Sequence, residues 1–336
     1  MNILFSSSGR RSYLINFFKE VAKEYGLKIF ATNNKIAASS LYFADEYFKA
    51  PPILDSNYVT FLLNLCTKKK IKLLIPLYDL DVLVLSQHKI DFERIGTKLM
   101  VVDNEVAKFC NDKYELQLIL SKNKFNSIPC LLNNERLKSK VKKSPFKFPL
   151  IIKPRNGMGS IGVFNVENEN ELDIFIKKCQ QEIFKSEINS SFKNKVLIQN
   201  QIYGVEFGLD IINNLEGVFQ TTIVKKKLEM RSGETDKAEV IENKGLFELG
   251  KKISKLIKHP GIIDVDVIVD ESGNPFIIDI NPRFGGGYPF THIANVNLPL
   301  AIINWLMDPK KDMSKFLIPK IGTIGLKTID IIKLPV

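Results

Sequence analysis

The chain has 336 residues, of which 45% are hydrophobic and 25% charged, with a formal net charge of +11. These proportions are typical of a soluble globular protein with room for two or three domains of ~100–200 residues, and they argue against a disordered chain. Apolar runs such as Ile71–Pro76 are far shorter than the ~20 residues that a bilayer span requires, so no transmembrane segment is expected.

Cysteine, histidine and lysine usage restricts the classes of site and partner. The four cysteines are scattered and there are only three histidines, so we expect reduced thiols and no His-based or zinc site. Met1–Phe5 leads directly into polar Ser6–Arg11 without a basic segment or cleavage-like site, which predicts a cytoplasmic protein. The lysines are dispersed and lack interleaved aromatic residues, which favours a solvated surface and small anionic substrates over nucleic acid or a membrane.

Strands and helices alternate in the first hundred residues. The predicted strands are Asn2–Phe5, Lys28–Thr32 and Lys72–Pro76, and the predicted helices are Ser12–Glu24, Tyr58–Lys69 and Leu80–Gln87. This alternation predicts a parallel, doubly wound sheet. Ligands bind such sheets beyond the carboxyl ends of the strands, which here carry Ser6–Arg11, Thr32–Asn34 and Pro76–Asp81. Ser7–Arg11 either contacts substrate there or simply turns the chain.

From about Asn111 the pattern changes. The predicted helices are Lys113–Lys122, Glu169–Phe184 and Phe247–Ile257, and the predicted strands are Pro149–Lys153, Ile161–Val166, Val196–Gln199, Glu206–Ile212 and Val218–Lys225. The lysine- and asparagine-rich stretch Leu131–Lys147 is the best candidate for a mobile surface segment.

The segment Ile263–Pro282 carries two alternating apolar runs separated by turn residues, which predicts a β-hairpin. If Val269 faces Phe276, then Asp266 lies directly opposite Asp279. Side chains alternate between the two faces of a strand, so both acids share one face. The opposite face is apolar and is expected in the core: Val265, Val267, Val269, Phe276, Ile278 and Ile280.

The same register places Asp264 opposite Asn281, beside the first pair. Opposed residues have Cβ atoms ~4.5–5.5 Å apart, and like charges at that distance destabilise a sheet, so a cation must compensate. Oxygen ligands without histidine or cysteine suit magnesium. A solvated acidic face without metal is the alternative, and it fits Asp270 and Glu271 at the turn better than the stacked mid-hairpin acids.

Pro149–Val163 is a second candidate site, a glycine-rich turn between two strands. No Gly-Lys-Ser/Thr follows it and it does not open a helix, so it is neither a Walker A loop nor a dinucleotide fingerprint. Glycine lets backbone amides approach phosphates closely, and Lys153 could place a charge on a phosphate oxygen. An ordinary glycine hairpin explains the segment equally well.

The order of these features resembles the ATP-grasp superfamily over roughly Asn111–Asn297. It runs from Lys113 at a helix start, through Lys153 and the glycine loop and a polar hinge before Glu206, to the acidic hairpin. Asp279–Pro289 is similar to short proteins related to the carbamoyl-phosphate synthase large subunit. The resemblance implies an α/β fold, α+β in its ATP-grasp part. An N-terminal doubly wound, Rossmann-like domain (1–110) would precede a lid subdomain (111–198) and a C-terminal subdomain with the hairpin (199–336).

The resemblance also implies roles for individual residues. ATP would be bound by Lys113, Lys153, the lid-loop residues Gly157, Gly159 and Ser160, the adenine-pocket residues Gln199, Asn200, Gln201 and Ile202, and Glu206 on the ribose. Magnesium would be bound by Asp266, Asp279 and Asn281. Arg283, with Lys153, would act on the transferring phosphoryl group. By position alone, Lys113 is better explained as a solvated first-turn residue of a helix capped by Asn111 or Asp112, and Glu206 is equally well explained as an exposed strand residue.

Two further segments are candidates for substrate contact. Arg231 and Lys237 lie in a polar stretch that could clamp a phosphate or form a mobile surface loop. Gly285, Gly286 and Gly287 precede a helical pattern, so they form either an anion site or a tight turn.

The resemblance implies an ATP- and magnesium-dependent ligase that joins a carboxylate to an amine through an acyl phosphate and releases ADP and phosphate. The expected partners are small carboxylate and amine substrates, and a homodimer is left open. A bicarbonate- or carbamate-phosphorylating protein like carbamoyl-phosphate synthase is one alternative. Another is a non-catalytic nucleotide-binding regulator.

Overall fold

The computed structural model describes residues 2–134, 137, 141, 145–157, 159–185, 195–329 and 331–334. Their strands form sheets of five, four and six strands. The helices are Ser12–Glu24, Tyr58–Lys68, Asp79–Leu85, Lys89–Arg94, Asn104–Cys110, Lys113–Lys122, Leu172–Lys185, Lys244–Ile257, Tyr288–Ile293 and Leu298–Met307, with short 3-10 turns at Ser39–Phe43, Ser86–His88, Glu169–Glu171 and Ser314–Phe316. Within the described residues, no helix is both long and apolar enough to cross a membrane.

The N-terminal sheet is parallel, as the alternating pattern predicts. Its strands are β1 (Asn2–Ser6), β2 (Ile29–Asn33), β3 (Glu46–Lys49), β4 (Ile71–Pro76) and β5 (Lys98–Leu99), in the order β3-β2-β1-β4-β5. The two edge strands were not predicted, because β3 is largely exposed and β5 has only two residues. The carboxyl ends of β1 and β4 are adjacent, which makes this the edge where a ligand is expected.

A four-stranded antiparallel sheet follows. It contains β6 (Cys130–Leu132), β7 (Leu150–Pro154), β8 (Phe164–Val166) and β9 (Val196–Asn200), in the order β6-β9-β7-β8. The predicted strand Ile161–Val166 begins only at Phe164, because the chain is still turning at Gly162, which has a positive φ of 72°. The predicted mobile segment Leu131–Lys147 lies partly outside the described residues.

The C-terminal sheet is antiparallel, with the order β14-β13-β10-β11-β12-β15. Its strands are β10 (Val205–Asn213), β11 (Phe219–Arg231), β12 (Glu234–Ile241), β13 (Ile262–Val269), β14 (Pro275–Asn281) and β15 (Ile324–Leu326). Residues of this sheet, such as Ile263 and Val265, share one apolar core with Leu4 and Leu74 of the N-terminal sheet. This common core holds the end of β4 near the end of β14.

Close packing between the helix Lys244–Ile257 and β11 leads to a stability prediction. Alanine normally stabilises a helix relative to glycine by up to ~1 kcal/mol. At Gly250, however, an added Cβ would lie 2.2 Å from Thr222 Oγ1, whereas at Gly245 the nearest atom, Asn243 Oδ1, is 3.5 Å away. Gly250→Ala should therefore destabilise the protein by ~1–3 kcal/mol, and the control Gly245→Ala should not. Urea unfolding measures both; equal effects of the two changes would contradict this contact.

Candidate active site

The acidic hairpin has the predicted register where its acids lie. Asp266 pairs with Asp279 and Asp264 with Asn281. Beyond Asp266 the register shifts, so the expected pairing of Val269 with Phe276 is wrong; Val269 faces Pro275 instead. The extra residue is Ile278, which is only partly buried. Ile277 takes its expected place in the core and is 1% exposed, because a bulge reverses which side chains face inward.

Two lysines from other elements neutralise the opposed acids. Lys113 Nζ is 2.7 Å from Asp279 Oδ2, and Lys227 Nζ is 2.6 Å from Asp266 Oδ1. Lys227 also lies 3.6 Å from Glu206 Oε2. The cation that the hairpin requires is therefore supplied by the protein itself, and no group of three or more His, Cys, Asp or Glu side chains in the described residues is arranged to hold a metal.

One carboxylate oxygen of the hairpin remains available. Asp279 Oδ1 is buried and has no hydrogen-bond partner in the part of the chain that the structure describes. A buried acceptor without a partner is costly, and a ligand would relieve that cost. With the side-chain oxygens of Asp266 and Asn281 on the same face, the donor set is the hard oxygen type that magnesium prefers when it also binds phosphate.

Asp112 fixes the position of Lys113. Its carboxylate caps the helix Lys113–Lys122 by accepting from the Tyr114 and Glu115 amides, and it accepts two hydrogen bonds from Arg155 at 2.8 and 2.6 Å. The Lys113 amide in turn donates to the Arg155 carbonyl at 2.9 Å. The start of this helix is thereby joined to the chain just after β7, and of the two predicted caps it is Asp112 that acts.

Lys153 lies on β7 and is 7% exposed. Burial, and then the nearby charge of Lys113, lower the pKa of Lys153 from 10.5 to about 8, while Asp279 opposes this shift. Two lysines on different elements thus converge on one carboxylate. Such an excess of positive charge suits a polyanion.

The glycine loop joins β7 to β8. Gly157, Gly159 and Ser160 all have positive φ angles, of 137°, 65° and 56°; Met158 lies outside the described residues. The loop lies against the turn between β11 and β12, where a Cβ on Gly233 would be 2.6 Å from Ser160 Oγ. The loop therefore extends from the four-stranded sheet to the six-stranded sheet.

The predicted hinge lies at the end of β9. Gln199 and Asn200 are on the strand, and Gln201 and Ile202 follow it before β10 begins. Among the residues that the structure describes, Gln199 Nε2 and Asn200 Oδ1 are buried without hydrogen-bond partners, although the Asn200 amide nitrogen donates to the Pro145 carbonyl at 2.9 Å. Because the two residues are consecutive on a strand, their side chains point to opposite faces of the sheet.

Arg283 follows β14 and is 6% exposed. Its Nε and Nη2 donate to both oxygens of Asp79, at 2.6 and 2.8 Å. Burial alone would lower the pKa of Arg283, but the Asp79 carboxylate outweighs it and the pKa is raised. Asp79 was not assigned a role from the sequence; its position in Pro76–Asp81, after a predicted strand, was the available signal.

The glycine triplet Gly285–Gly287 packs against a second group of charged side chains. A Cβ on Gly285 would lie 2.2–2.4 Å from the Asp264 carboxyl atoms, so only glycine fits there. Burial, with the charge of Asp266, raises the pKa of Asp264 to about 7. Gly287 lies against Lys225, whose Nζ is 2.6 Å from Asp210 Oδ2 in a buried ion pair.

Gly286 lies near Lys327 and Glu234. The helix that follows the triplet, Tyr288–Ile293, is too short to supply an anion site by itself. Sequence reasoning also missed the Lys225–Asp210 pair and Lys227. The available signal was two lysines spaced two apart, which lie on one face of a strand, but the predicted strand Val218–Lys225 ended before Lys227.

Arg231 and Lys237 do not lie in a polar loop as expected. They belong to β11 and β12, which are joined by a tight turn at Gly233. Arg231 is paired with Asp236, and Lys237 Nζ lies 3.2 Å from Glu229 Oε1. Their charges are thus engaged within their own hairpin.

The chain matches two known protein families. A family described as PylC-like, N-terminal domain matches residues 3–100, and one described as ATP-grasp domain matches residues 110–287, a little over half of the chain. The chain belongs to the ATP-grasp family.

Relatives of this ATP-grasp chain are distant. It is 20% identical to the arginine-specific carbamoyl phosphate synthase large chain of Geobacillus stearothermophilus, over 73% of this chain and 23% of that one. It is 27% identical to the D-alanine–D-alanine ligase of Clostridium beijerinckii, over 52% and 58% of the two chains. This chain therefore spans about a quarter of the carbamoyl phosphate synthase large chain and under three-fifths of the D-alanine–D-alanine ligase. The crystal structure of an L-amino acid ligase from Bacillus licheniformis has the same fold, with a TM-score of 0.68 at 16% identity over 91% of this chain and 74% of that one.

The buried lysine of this ATP-grasp site predicts a pH dependence of stability. Because the pKa of Lys153 is about 8 instead of 10.5, the unfolded chain binds one proton more than the folded chain between these values. This group should therefore add ~3 kcal/mol to the free energy of unfolding as the pH rises across this interval, whereas the buried cysteine thiols, whose pKa values are raised, act in the opposite direction. Relative to wild type, Lys153→Met should lose the lysine contribution, and Lys147→Met, at an exposed lysine just before the same strand, should retain it. Urea unfolding across this range measures the slope; equal slopes in wild type and Lys153→Met would contradict a buried cation.

Proposed function

We propose that this chain is an ATP- and magnesium-dependent ligase that phosphorylates a carboxylate and joins the product to an amine. The observation that carries this proposal is the unpaired, buried Oδ1 of Asp279, whose other oxygen is bound by Lys113, with the buried Lys153 nearby. One open carboxylate oxygen between two lysines suits a metal-bound polyphosphate better than a neutral ligand.

In this proposal ATP extends from the hinge to the hairpin. The hinge residues Gln199, Asn200, Gln201 and Ile202 would line the adenine pocket, largely through backbone groups, and Glu206 would contact the ribose. Lys113 and Lys153 would bind phosphate oxygens. The glycine loop at Gly157, Gly159 and Ser160 would cover the phosphates with its backbone amides, since its positive φ angles orient them unusually.

Asp279, Asn281 and Asp266 would bind magnesium. Magnesium would neutralise charge on the phosphate oxygens while phosphate is transferred. Lys113 and Lys227, which now pair with these acids, would turn towards the phosphates instead. Before ATP binds, the two lysines therefore neutralise the acids and reduce the repulsion between them.

The reaction proceeds in two steps. A substrate carboxylate oxygen attacks the γ-phosphorus, and the bond to the bridging oxygen breaks to release ADP. Arg283, fixed in position by Asp79, steadies the transferring phosphoryl group. The amine then attacks the acyl carbon, loses a proton, and phosphate leaves with the electron pair of the carbon–oxygen bond. Arg283 and the backbone at Gly285–Gly287 supply positive potential to the oxyanion of this second step.

The two named relatives favour different acids. The relationship to D-alanine–D-alanine ligase supports a carboxylate–amine ligase, and the shared fold of the L-amino acid ligase agrees with it. The match to the carbamoyl phosphate synthase chain, over 73% of this chain, supports bicarbonate as the alternative acid. Substrate-dependent ADP release distinguishes them.

Asp279→Asn tests the proposed metal site. It removes one charge, so magnesium-dependent ATP turnover should fall by a factor on the order of 100. Because Lys113 also loses an ionic partner, the apo protein should be less stable by ~1–2 kcal/mol. Glu271→Gln removes one charge from the exposed turn of the same hairpin and should change neither quantity. Near-normal turnover in Asp279→Asn would rule out this site.

The intermediate provides a test of the reaction class. Supplied with an acid, ATP, magnesium and hydroxylamine, the protein should form a hydroxamate together with ADP, because hydroxylamine traps acyl phosphates. Bicarbonate with no other acid should support little turnover. Chromatography identifies the nucleotide that is released, and the iron complex of the hydroxamate quantifies the trapped intermediate. Release of AMP and pyrophosphate would indicate an adenylate and would refute the proposed chemistry.

A further inference from the structure

Two arginines from distant parts of the chain bind the same short segment after β4. Arg11 lies just before the helix Ser12–Glu24, and its Nη1 donates to the Leu77 carbonyl. Arg283 binds both oxygens of Asp79, two residues further on. The two guanidinium groups therefore meet at the carboxyl edge of the parallel sheet, where such folds bind ligands.

The two arginines differ in their counter-ions. Arg283 has Asp79, with Asp264 Oδ2 a further 4.0 Å from Nη1. No ion pair within 4.0 Å joins Arg11 to a carboxylate among the residues that the structure describes. The phenol of Tyr13 also lies close to Arg11. Burial, and then the charge of Arg283, lower the pKa of Arg11, as expected for a cation lacking its own anion.

The surroundings of Arg11 place it next to Arg283. The charged or phenolic groups that act on Arg11 are Arg283, Tyr13, Asp79 and Asp264, and Arg283 also interacts with Asp279 of the acidic hairpin. Both arginines bind the segment Leu77–Asp79. An anion at Arg11 would therefore lie beside Arg283.

We propose that Arg11 binds a second anionic group of the acid substrate, distinct from the carboxylate that receives phosphate. The substrate class is then a dianionic acid, with a carboxylate or phosphate a few atoms from the reacting carboxylate. Arg283 steadies the reacting group, and Arg11 holds the distal one by charge-assisted hydrogen bonds. This assignment rests on the proposed function, because it names the acid of that reaction.

Equilibrium binding tests the assignment without requiring turnover. The probes are succinate, 3-phosphonopropionate and butyrate, which have comparable lengths but end distally in a carboxylate, a phosphonate and a methyl group. Calorimetry on the full chain, with magnesium and a non-hydrolysable ATP analogue, should show at least one dianion binding ~10–100-fold more tightly than butyrate. The tighter of the two dianions identifies the distal group.

Variants at neighbouring arginines provide the matched comparison. Arg11→Gln should weaken dianion binding ~10–100-fold and leave butyrate binding unchanged. Arg11→Lys, which keeps the charge but loses the planar fork, should retain part of the preference. Arg10→Gln, at the adjacent exposed arginine, should bind like wild type. Thermal unfolding of each variant verifies that it is folded.

Several results would overturn the assignment. These are equal binding of butyrate and both dianions, absence of dianion binding, or an Arg11→Gln variant that weakens all three ligands alike, which would show that Arg11 only supports the Leu77–Asp79 segment. Failure of the proposed function looks different. In that case dianions would still bind through Arg11, but no acid would yield hydroxamate and ADP.

Discussion

Repulsion between two carboxylates held opposite each other is the constraint around which this site is organised. Asp266 and Asp279 are fixed face to face by the strand register, and the hairpin is stable only where cations lie close by. Lys113 supplies one cation from a helix, and Lys227 supplies another from β11, which is separated from the hairpin by β10. Both ion pairs are partly screened from solvent, so they are stronger than surface pairs and remain exchangeable for ligands.

Two lysines act on the single carboxylate of Asp279 at the proposed phosphate site. Lys113 forms an ion pair with Asp279, but Lys153 is buried nearby with a depressed pKa, which makes the apo site costly. In the proposed complex a polyanion would lower this cost by pairing with both lysines, and a metal would bind the Asp279 oxygen that has no partner among the described residues. Strain in the apo protein thus becomes binding energy for the nucleotide.

A second junction, between Asp79 and Arg283, connects the N-terminal sheet to the end of the hairpin. The common apolar core brings the ends of β4 and β14 together, and the two-pronged ion pair fixes their relative position. Because Arg11 binds the same segment, the N-terminal sheet both supports Arg283 and contributes its own cation. The proposed substrate side of the site would therefore be shared between sheets from distant parts of the chain.

The sequence by itself determined the local structure and the kind of chemistry. Alternation along the strands placed Asp264 opposite Asn281, and the helices Ser12–Glu24 and Lys113–Lys122 have their predicted limits, because hydrophobic periodicity and helix capping act over a few residues. Tertiary structure alone decided the bulge at Ile278, the strands that contain Arg231 and Lys237, and the partners Lys227 and Asp79. These depend on which strands become neighbours and on which charges the core brings together. Residues 204 positions apart, such as Asp79 and Arg283, leave no local pattern that could reveal their contact.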